Sequence, residues 1–198
     1  AFDYQLSIMS MPFVLGMKSI NDLPKRIPYL KSTSYKELEI KKEKGKINIG
    51  ICWSASLTGE SYEGKVFDLK FFEPLINNPK INLYSLQVGE GSEDIKKLGY
   101  EDKIIDLTSS LTDFSKTSCL IDNLDLIISS DTAVAHLAGA LNKEVWIPLQ
   151  KIPDWRWTNK GELTKWYPSA KLFRQKTARV WDGVFQSINA KLSKKYKI

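Results

Sequence analysis

The alternation of short apolar runs with segments of helical spacing constrains the fold of this chain more than any other feature of its sequence. The run I-N-I-G-I-C-W (47–53) has strand length and precedes a polar loop, and I-N-L-Y-S-L-Q (81–87) repeats that pattern after a segment of helical spacing. Strands that alternate with helices at this spacing are typical of βαβ units, in which helices cover both faces of a parallel sheet. The sequence therefore predicts an α/β fold, a doubly wound Rossmann-like parallel sheet of about six strands.

The same pattern predicts the position of each element. Gly99 is expected to end the second helix, and Thr112 or Asp113 is expected to be the N-cap of the third. The predicted strands are 47–53, 81–87, 103–107, 125–130, 144–149 and 170–174. The predicted helices are 67–76, 91–99, 111–123, 132–141 and 181–192.

The predicted topology also indicates where a ligand would bind. If the strand order is 3-2-1-4-5-6, the winding reverses between the strands that end at Trp53 and Ser130. Ligands of open α/β sheets bind beyond the carboxyl ends of the strands at such a reversal. The loops 54–65 and 129–136 are therefore the expected site.

Charge and composition exclude several other classes. The net charge of +6 is concentrated in residues 31–46 and in the lysines after residue 190, so the rest of the chain is near neutral. A solvated lysine-rich surface explains this distribution, and no nucleic-acid partner is predicted. Two cysteines far apart and one histidine predict no metal site and favour a reducing, cytoplasmic location. No apolar run approaches the ~20 residues that span a bilayer.

The first 45 residues differ in character from the remainder. Pro12, Pro24 and Pro28 interrupt any long helix there, and a lysine-rich stretch follows. We therefore expect residues 1–45 to be a connector and residues 46–198 to be the α/β domain. Because the chain starts with Ala rather than Met, we also expect a fragment of a longer chain.

The segment S-S-D-T-A-V-A-H-L-A-G-A-L (129–141) is the strongest candidate for a binding site. Asp131 and Thr132 stand where a strand ends and a helix begins, so the amides from Thr132 to Ala135 are expected to be free and to form an anion site. The small side chains of Ala133 and Ala135 would let a phosphate approach the backbone. The alternative is an ordinary capped helix, with His136 as a core or capping residue.

Two further segments carry weaker signals. Lys65 ends the Ser- and Gly-rich loop 54–65, which does not satisfy the Walker pattern, and it could neutralise a phosphate or be an ordinary loop lysine. The phrase P-D-W-R-W (153–157) offers rings that stack on bases or sugars, and Arg156 could bind phosphate. The alternative for this stretch is a rigid aromatic plug.

Taken together, these phrases resemble the carboxyl-terminal half of GT-B glycosyltransferases of the bacterial heptosyltransferase type (glycosyltransferase family 9), closest to those fused behind tetratricopeptide repeats. The resemblance covers essentially the whole chain, and the 1–45 segment resembles the interdomain connector. The phrases that carry it are I-G-I-C-W-S (49–54), F-F-E-P-L (71–75), Y-S-L-Q-V-G (84–89), L-I-I-S-S-D-T-A-V-A-H-L-A-G-A-L (126–141), P-D-W-R-W (153–157) and W-Y-P-S-A-K-L-F-R-Q (166–175).

The resemblance implies that this half binds the nucleotide-sugar donor without a metal or other cofactor, while a missing N-terminal half binds the acceptor glycan or protein. Asp131 would hydrogen-bond the donor sugar, and Lys65 would counter the charge on the leaving diphosphate. Carried over by position, the catalytic residues are Asp131, Lys65 and His136, and the binding residues are Ser130, Thr132, Ala133, Val134, Ala135, Gln87, Trp155 and Arg156.

The sequence also departs from the family. Ala133 stands where the heptosyltransferases have Gly, and Glu60 and Glu63 lie in a loop that is often basic in the family. The fragment alone is not expected to transfer a sugar. One alternative is therefore a non-catalytic nucleotide- or sugar-binding or scaffold module with a degenerate GT-B half. A GT-B epimerase would require more acidic and histidine residues.

Overall fold

A computed structural model of the chain describes residues 2–23, 26–55 and 64–198. Pro24 lies outside this part of the chain, and so do residues 56–63, which include Glu60, Glu63 and most of the predicted site loop 54–65. The strands are β1 (Ile47–Cys52), β2 (Ile81–Ser85), β3 (Ile104–Asp106), β4 (Leu126–Ser129), β5 (Val145–Leu149) and β6 (Ala170–Arg174). The α-helices are α1 (Met11–Val14), α2 (Glu73–Ile76), α3 (Asp94–Lys97), α4 (Phe114–Asn123), α5 (Ala133–Ala140) and α6 (Asp182–Tyr196).

Within these residues, the six strands form one sheet in the order β3-β2-β1-β4-β5-β6, and every neighbouring pair is parallel. This confirms the predicted doubly wound α/β fold and the predicted strand order. The winding reverses between β1 and β4, which pair from Ile49 with Leu126 to Cys52 with Ser129. The carboxyl ends of these two strands therefore flank the expected binding crevice.

The central strands are buried on both faces, as their continuous apolar sequences require. Side chains pack directly on the backbone of β1 at Gly50, where a Cβ atom would come within 2.7 Å of Cδ1 of both Leu124 and Leu86. One apolar cluster packs α2 and α6 on the sheet, and the other packs α4 and α5 on the opposite face. Helices thus cover both faces of the sheet.

Two predicted helices are shorter in the structure than their sequence pattern suggested. Residues 67–76 split into a 3-10 turn (Leu69–Phe72), capped by the side chain of Asp68, and the short helix α2. Residues 91–99 contain only α3, because Gly91 has a φ of 85° and belongs to the preceding turn. Of the two candidate caps for α4, Asp113 is the one used, since its carboxylate accepts from the Lys116 amide at 3.0 Å.

Part of the predicted connector packs closely on the domain. Leu38 is fully buried, and the amide of Tyr35 donates to Cys119 Sγ in α4 at 3.3 Å. The amide of Tyr29 donates to the Ala140 carbonyl at the end of α5. These contacts bring residues 29–38 against α4 and α5, on the same face of the sheet as the 129–141 segment.

Candidate functional site

A cavity of about 600 Å³ opens beyond the carboxyl ends of β1 and β4. Both loops expected to form the site border it, through Ser54, Ala55 and Lys65 from one and the start of α5 from the other. The remaining lining includes Cys52, Leu86, Gln87, Val88, Gly89, Glu90, Phe114 and Thr117. The cavity therefore lies where the sheet topology predicts a ligand.

Asp131 is the central charged group of this cavity, and its side chain is only 9% exposed. Lys65 Nζ lies 3.1 Å from Asp131 Oδ2, and His136 Nε2 lies 3.7 Å from Asp131 Oδ1. Burial alone would raise the pKa of Asp131, but polar contacts with His136, Trp157 and Lys65 outweigh it and hold that pKa below its ordinary value. Asp131 is consequently a carboxylate at neutral pH, available as a hydrogen-bond acceptor.

The ring of His136 is fixed on two sides. Its Nδ1 lies 2.9 Å from the Tyr167 hydroxyl, and its ring stacks on Trp157 with a centroid distance of 5.1 Å and an interplanar angle of 19°. Trp157 is completely buried, and within the described residues its Nε1 makes no hydrogen bond of ordinary geometry, so its polar contact with Asp131 is a weaker one. This arrangement turns the other ring nitrogen of His136 towards Asp131.

The first turn of α5 leaves fewer free amides than the sequence predicted. The Thr132 amide donates to the Ser130 carbonyl at 2.7 Å, and the Ala135 amide donates to the Thr132 carbonyl at 3.1 Å. Thr132 occupies the N-cap position, but its side chain does not cap the helix. The amides of Ala133 and Val134 therefore have no acceptor within the described ranges, and both residues line the cavity. An anion at this helix end would meet two amides rather than four.

Two of the predicted binding residues have structural roles. Ser130 is fully buried and does not line the cavity. Its carbonyl accepts a hydrogen bond from the Thr132 amide. Gln87 borders the cavity, but its Oε1 accepts from the amides of Trp53 at 2.9 Å and Ser54 at 2.8 Å, and its Nε2 donates to the Glu90 carbonyl at 2.7 Å. Gln87 thus ties the loop after β1 to the loop after β2.

The loop that contains P-D-W-R-W (153–157) contacts the site through Trp157 rather than through Trp155 or Arg156. Trp155 is 62% exposed, Arg156 is paired with Asp154 at 2.7 Å, and neither borders the cavity. Trp157, two positions on, instead reaches the site through its stack on His136. Arg174 fixes this loop by donating to the carbonyls of Trp157 and Thr158. Tyr167, also not singled out by the sequence, completes the support of His136.

A larger cavity, of about 1000 Å³, lies elsewhere, between β6 and α6. Three of the four lysines that line it are already paired with carboxylates: Lys171 and Lys191 share Glu162, and Lys195 pairs with Glu144. None of the residues predicted for the site borders it. The chemistry expected from the sequence therefore gathers in the smaller cavity.

Two other kinds of feature do not occur among the residues that the structure describes. There, no cluster of three or more His, Cys, Asp or Glu side chains is arranged to hold a metal ion. In the same residues, no helix combines the length and the apolar character needed to cross a membrane.

The fold is similar to that of two solved transferases. E. coli ADP-heptose LPS heptosyltransferase II matches with a TM-score of 0.61 and 16% identity, over 90% of this chain and 58% of that one. E. coli heptosyltransferase WaaC, solved with ADP, matches with a TM-score of 0.53 and 13% identity, over 75% of this chain and 45% of that one. The chain thus shares its doubly wound α/β fold with part of each of these transferases. It spans about half the length of these transferases, and neither a family model nor a curated protein matches its sequence.

Proposed function

We propose that this chain is the donor-binding half of a metal-independent glycosyltransferase and that its cavity binds a nucleoside-diphosphate sugar. The observation that carries the proposal is the composition of the cavity wall. The free amides of Ala133 and Val134, the ammonium of Lys65 and the carboxylate of Asp131 all border one crevice at the reversal of the sheet. The first two kinds of group suit a diphosphate, and the carboxylate suits sugar hydroxyls.

The diphosphate is the leaving group when a sugar is transferred from such a donor, and negative charge builds up on it as the glycosidic bond breaks. The two amides at the start of α5, the positive end of the helix dipole and Lys65 are placed to stabilise that charge. The two amides are already oriented before the ligand enters, whereas Lys65 would have to exchange Asp131 for the phosphate. The protein would thereby stabilise the departing diphosphate with its own groups.

The Lys65–Asp131 pair gives the site a second property. In the free protein the two charges neutralise one another, at 3.1 Å in a partly buried position. A diphosphate would compete with Asp131 for Lys65, and the released carboxylate oxygen could then accept a hydrogen bond from the sugar. Binding of the phosphate and binding of the sugar would therefore be linked through this pair.

The nucleotide to test first is ADP, because WaaC was solved with ADP and the printed description of heptosyltransferase II names ADP-heptose. The proposal includes a preceding lobe that binds the acceptor glycan or protein, attachment to tetratricopeptide repeats and a cytoplasmic location. Residues 1–45 would be the connector to that lobe. The chain by itself would bind the donor and transfer nothing.

Calorimetric titration with ADP, UDP, GDP and their sugars tests the proposal, with Trp157 as a fluorescent reporter beside His136. We expect one nucleotide to bind. Lys65→Met should weaken it about tenfold, equivalent to about 1.4 kcal/mol. The control is Lys80→Met, because Lys80 immediately precedes β2 at the opposite end of the sheet. Absence of binding by every nucleotide at millimolar concentration would overturn the proposal.

The second candidate is a degenerate GT-B half that binds a nucleotide without a role in transfer. The observation that favours it is the same ion pair, because a Lys65 neutralised by Asp131 attracts an anion less strongly than a free lysine does. The two functions differ in their treatment of the sugar. A donor-binding half should bind the sugar nucleotide more tightly than the bare diphosphate, whereas equal affinities would favour the degenerate module.

A further inference from the structure

A line of polar contacts runs from the predicted connector to the candidate site. The Tyr29 hydroxyl donates to the Tyr167 hydroxyl at 3.5 Å, and the Tyr167 hydroxyl lies 2.9 Å from His136 Nδ1. The other nitrogen of that ring, Nε2, faces Asp131 at 3.7 Å. Four side chains from three segments of the chain are thus connected one after another, and the last of them is the central carboxylate of the cavity.

Packing holds this line in one arrangement. The Tyr167 ring meets His136 edge-on, with a centroid distance of 5.7 Å and an interplanar angle of 65°. It also lies over Gly139 so closely that a Cβ atom there would come within 2.3 Å of the ring. Trp157 covers the other side of the imidazole. The imidazole therefore has little freedom to rotate or exchange its two nitrogens.

The groups that face the two ring nitrogens of His136 indicate which nitrogen carries the proton. A neutral imidazole has one N–H and one lone pair. Nε2 faces the Asp131 carboxylate, which can only accept, and this favours the proton of the neutral ring on Nε2. The Tyr29 hydroxyl donates to the Tyr167 oxygen, which leaves the Tyr167 proton available to the lone pair of His136 Nδ1. Burial raises the pKa of Tyr167 above its ordinary value, so this hydroxyl remains a donor in neutral and mildly alkaline solution. With Nδ1 as acceptor, the proton of the neutral ring resides on Nε2.

We propose that Tyr167 is a positioning residue that holds His136 in the Nε2–H tautomer, and that Tyr29 of the connector orients the Tyr167 hydroxyl. The N–H of His136 then faces Asp131 and the cavity, where it is available to a bound phosphate. The use of this N–H in binding rests on the proposed function, whereas the tautomer itself is a property of the free protein. The connector is thereby linked to the site through hydrogen bonds.

The test exploits the single histidine of the chain. In protein labelled with ¹⁵N-histidine, the two-bond nitrogen–proton correlations of one ring report the tautomer directly. We expect the neutral ring to show the Nε2–H pattern in the unaltered protein and a mixture of tautomers in Tyr167→Phe. The matched control is Tyr100→Phe, which removes the hydrogen bond to Glu73 far from the site and should leave the pattern unchanged. An Nε2–H pattern that persists in Tyr167→Phe would overturn the proposal.

Two further measurements separate the possible failures. Tyr29 is more exposed than Tyr167, and we expect Tyr29→Phe to shift the tautomer populations of His136 in the same direction as Tyr167→Phe but to a smaller extent. If Tyr29→Phe causes no shift, the connector has no part in positioning His136. Thermal unfolding monitored by circular dichroism shows that each variant is folded. If the tautomer responds to Tyr167→Phe but no nucleotide binds any form of the protein, the positioning role stands and the proposed function fails. If ADP binds and Tyr167→Phe weakens it several-fold, both stand.

Discussion

Lys65 and Asp131 meet at a distance of 3.1 Å although they follow different strands, β1 and β4, and are 66 positions apart in the sequence. Their approach is a consequence of topology, because β1 and β4 are parallel neighbours and their carboxyl ends share one edge of the sheet. The pair occupies the wall of the cavity, where either charge could be taken by a ligand. Under the proposed function, binding of a ligand would therefore exchange an existing ion pair.

This exchange predicts opposite effects of one substitution on two ligands. Asp131→Asn removes a negative charge from the cavity and releases Lys65, so a bare nucleoside diphosphate should bind as well or more tightly. The sugar nucleotide should lose about tenfold in affinity, because an acceptor for its hydroxyls is weakened. Calorimetry with both ligands provides the measurement. Asp154→Asn, which breaks an ion pair outside the cavity, is the control, and an equal loss for both ligands would contradict the sugar contact.

The lowered pKa of Asp131 predicts that its contribution to the free energy of unfolding depends on pH. The pKa of Asp131 in the folded chain lies below its ordinary value of 3.8. The sign is therefore that of a depressed carboxyl group: its contribution is present above the unfolded pKa and is lost as the pH falls through the folded pKa. Asp131→Asn lacks this contribution, so the difference in unfolding free energy between the two proteins should be larger at neutral pH than at about pH 2. Urea unfolding at both values measures it, and a constant difference would refute the expectation.

The predicted fold and the observed fold agree where apolar periodicity and strand length determine the result. The continuous apolar runs at β1 and β4 require burial on both faces, and this requirement leads directly to a parallel sheet covered by helices. Disagreement arises where local backbone geometry competes with periodicity. Residues 67–76 have helical spacing, but Pro74 fits only the first turn of a helix, and the segment therefore divides into a 3-10 turn and α2.

For the candidate site, the sequence predicted the position in the fold better than the identity of the residues that form it. The loops after β1 and β4 follow from the strand order, and Asp131, Lys65 and His136 come together there. The sequence could not distinguish Trp155 from Trp157, because the choice depends on how Arg174 binds the loop carbonyls. Tyr167 carries no signal of its own, since its role depends on the absence of a side chain at Gly139.

Substitution of Gln87, on the cavity wall, is expected to lower the stability of the fold strongly. Its side chain accepts from two buried amides and donates to the Glu90 carbonyl. Gln87→Leu would leave these groups without partners, and we expect a loss of about 2–4 kcal/mol in the free energy of unfolding. Gln186→Leu, on an exposed position of α6, should change it by less than about 0.5 kcal/mol. Chemical denaturation distinguishes the two, and similar small changes in both would show that Gln87 is not a structural tie.

Gly139 and Gly183 form a matched pair that tests the packing behind His136. Both lie in helices, but a Cβ atom at Gly139 would meet the Tyr167 ring at 2.3 Å, whereas at Gly183 it would meet nothing within 4 Å. Gly183→Ala should stabilise the protein by about 0.5–1 kcal/mol through helix propensity. Gly139→Ala should destabilise it by about 1–3 kcal/mol, because the Tyr167 ring must shift within a packed core. Thermal and chemical unfolding of the two variants measures the contrast. If both substitutions stabilise the chain, the Tyr167 ring is not held against α5, and its support of His136 would be lost with it.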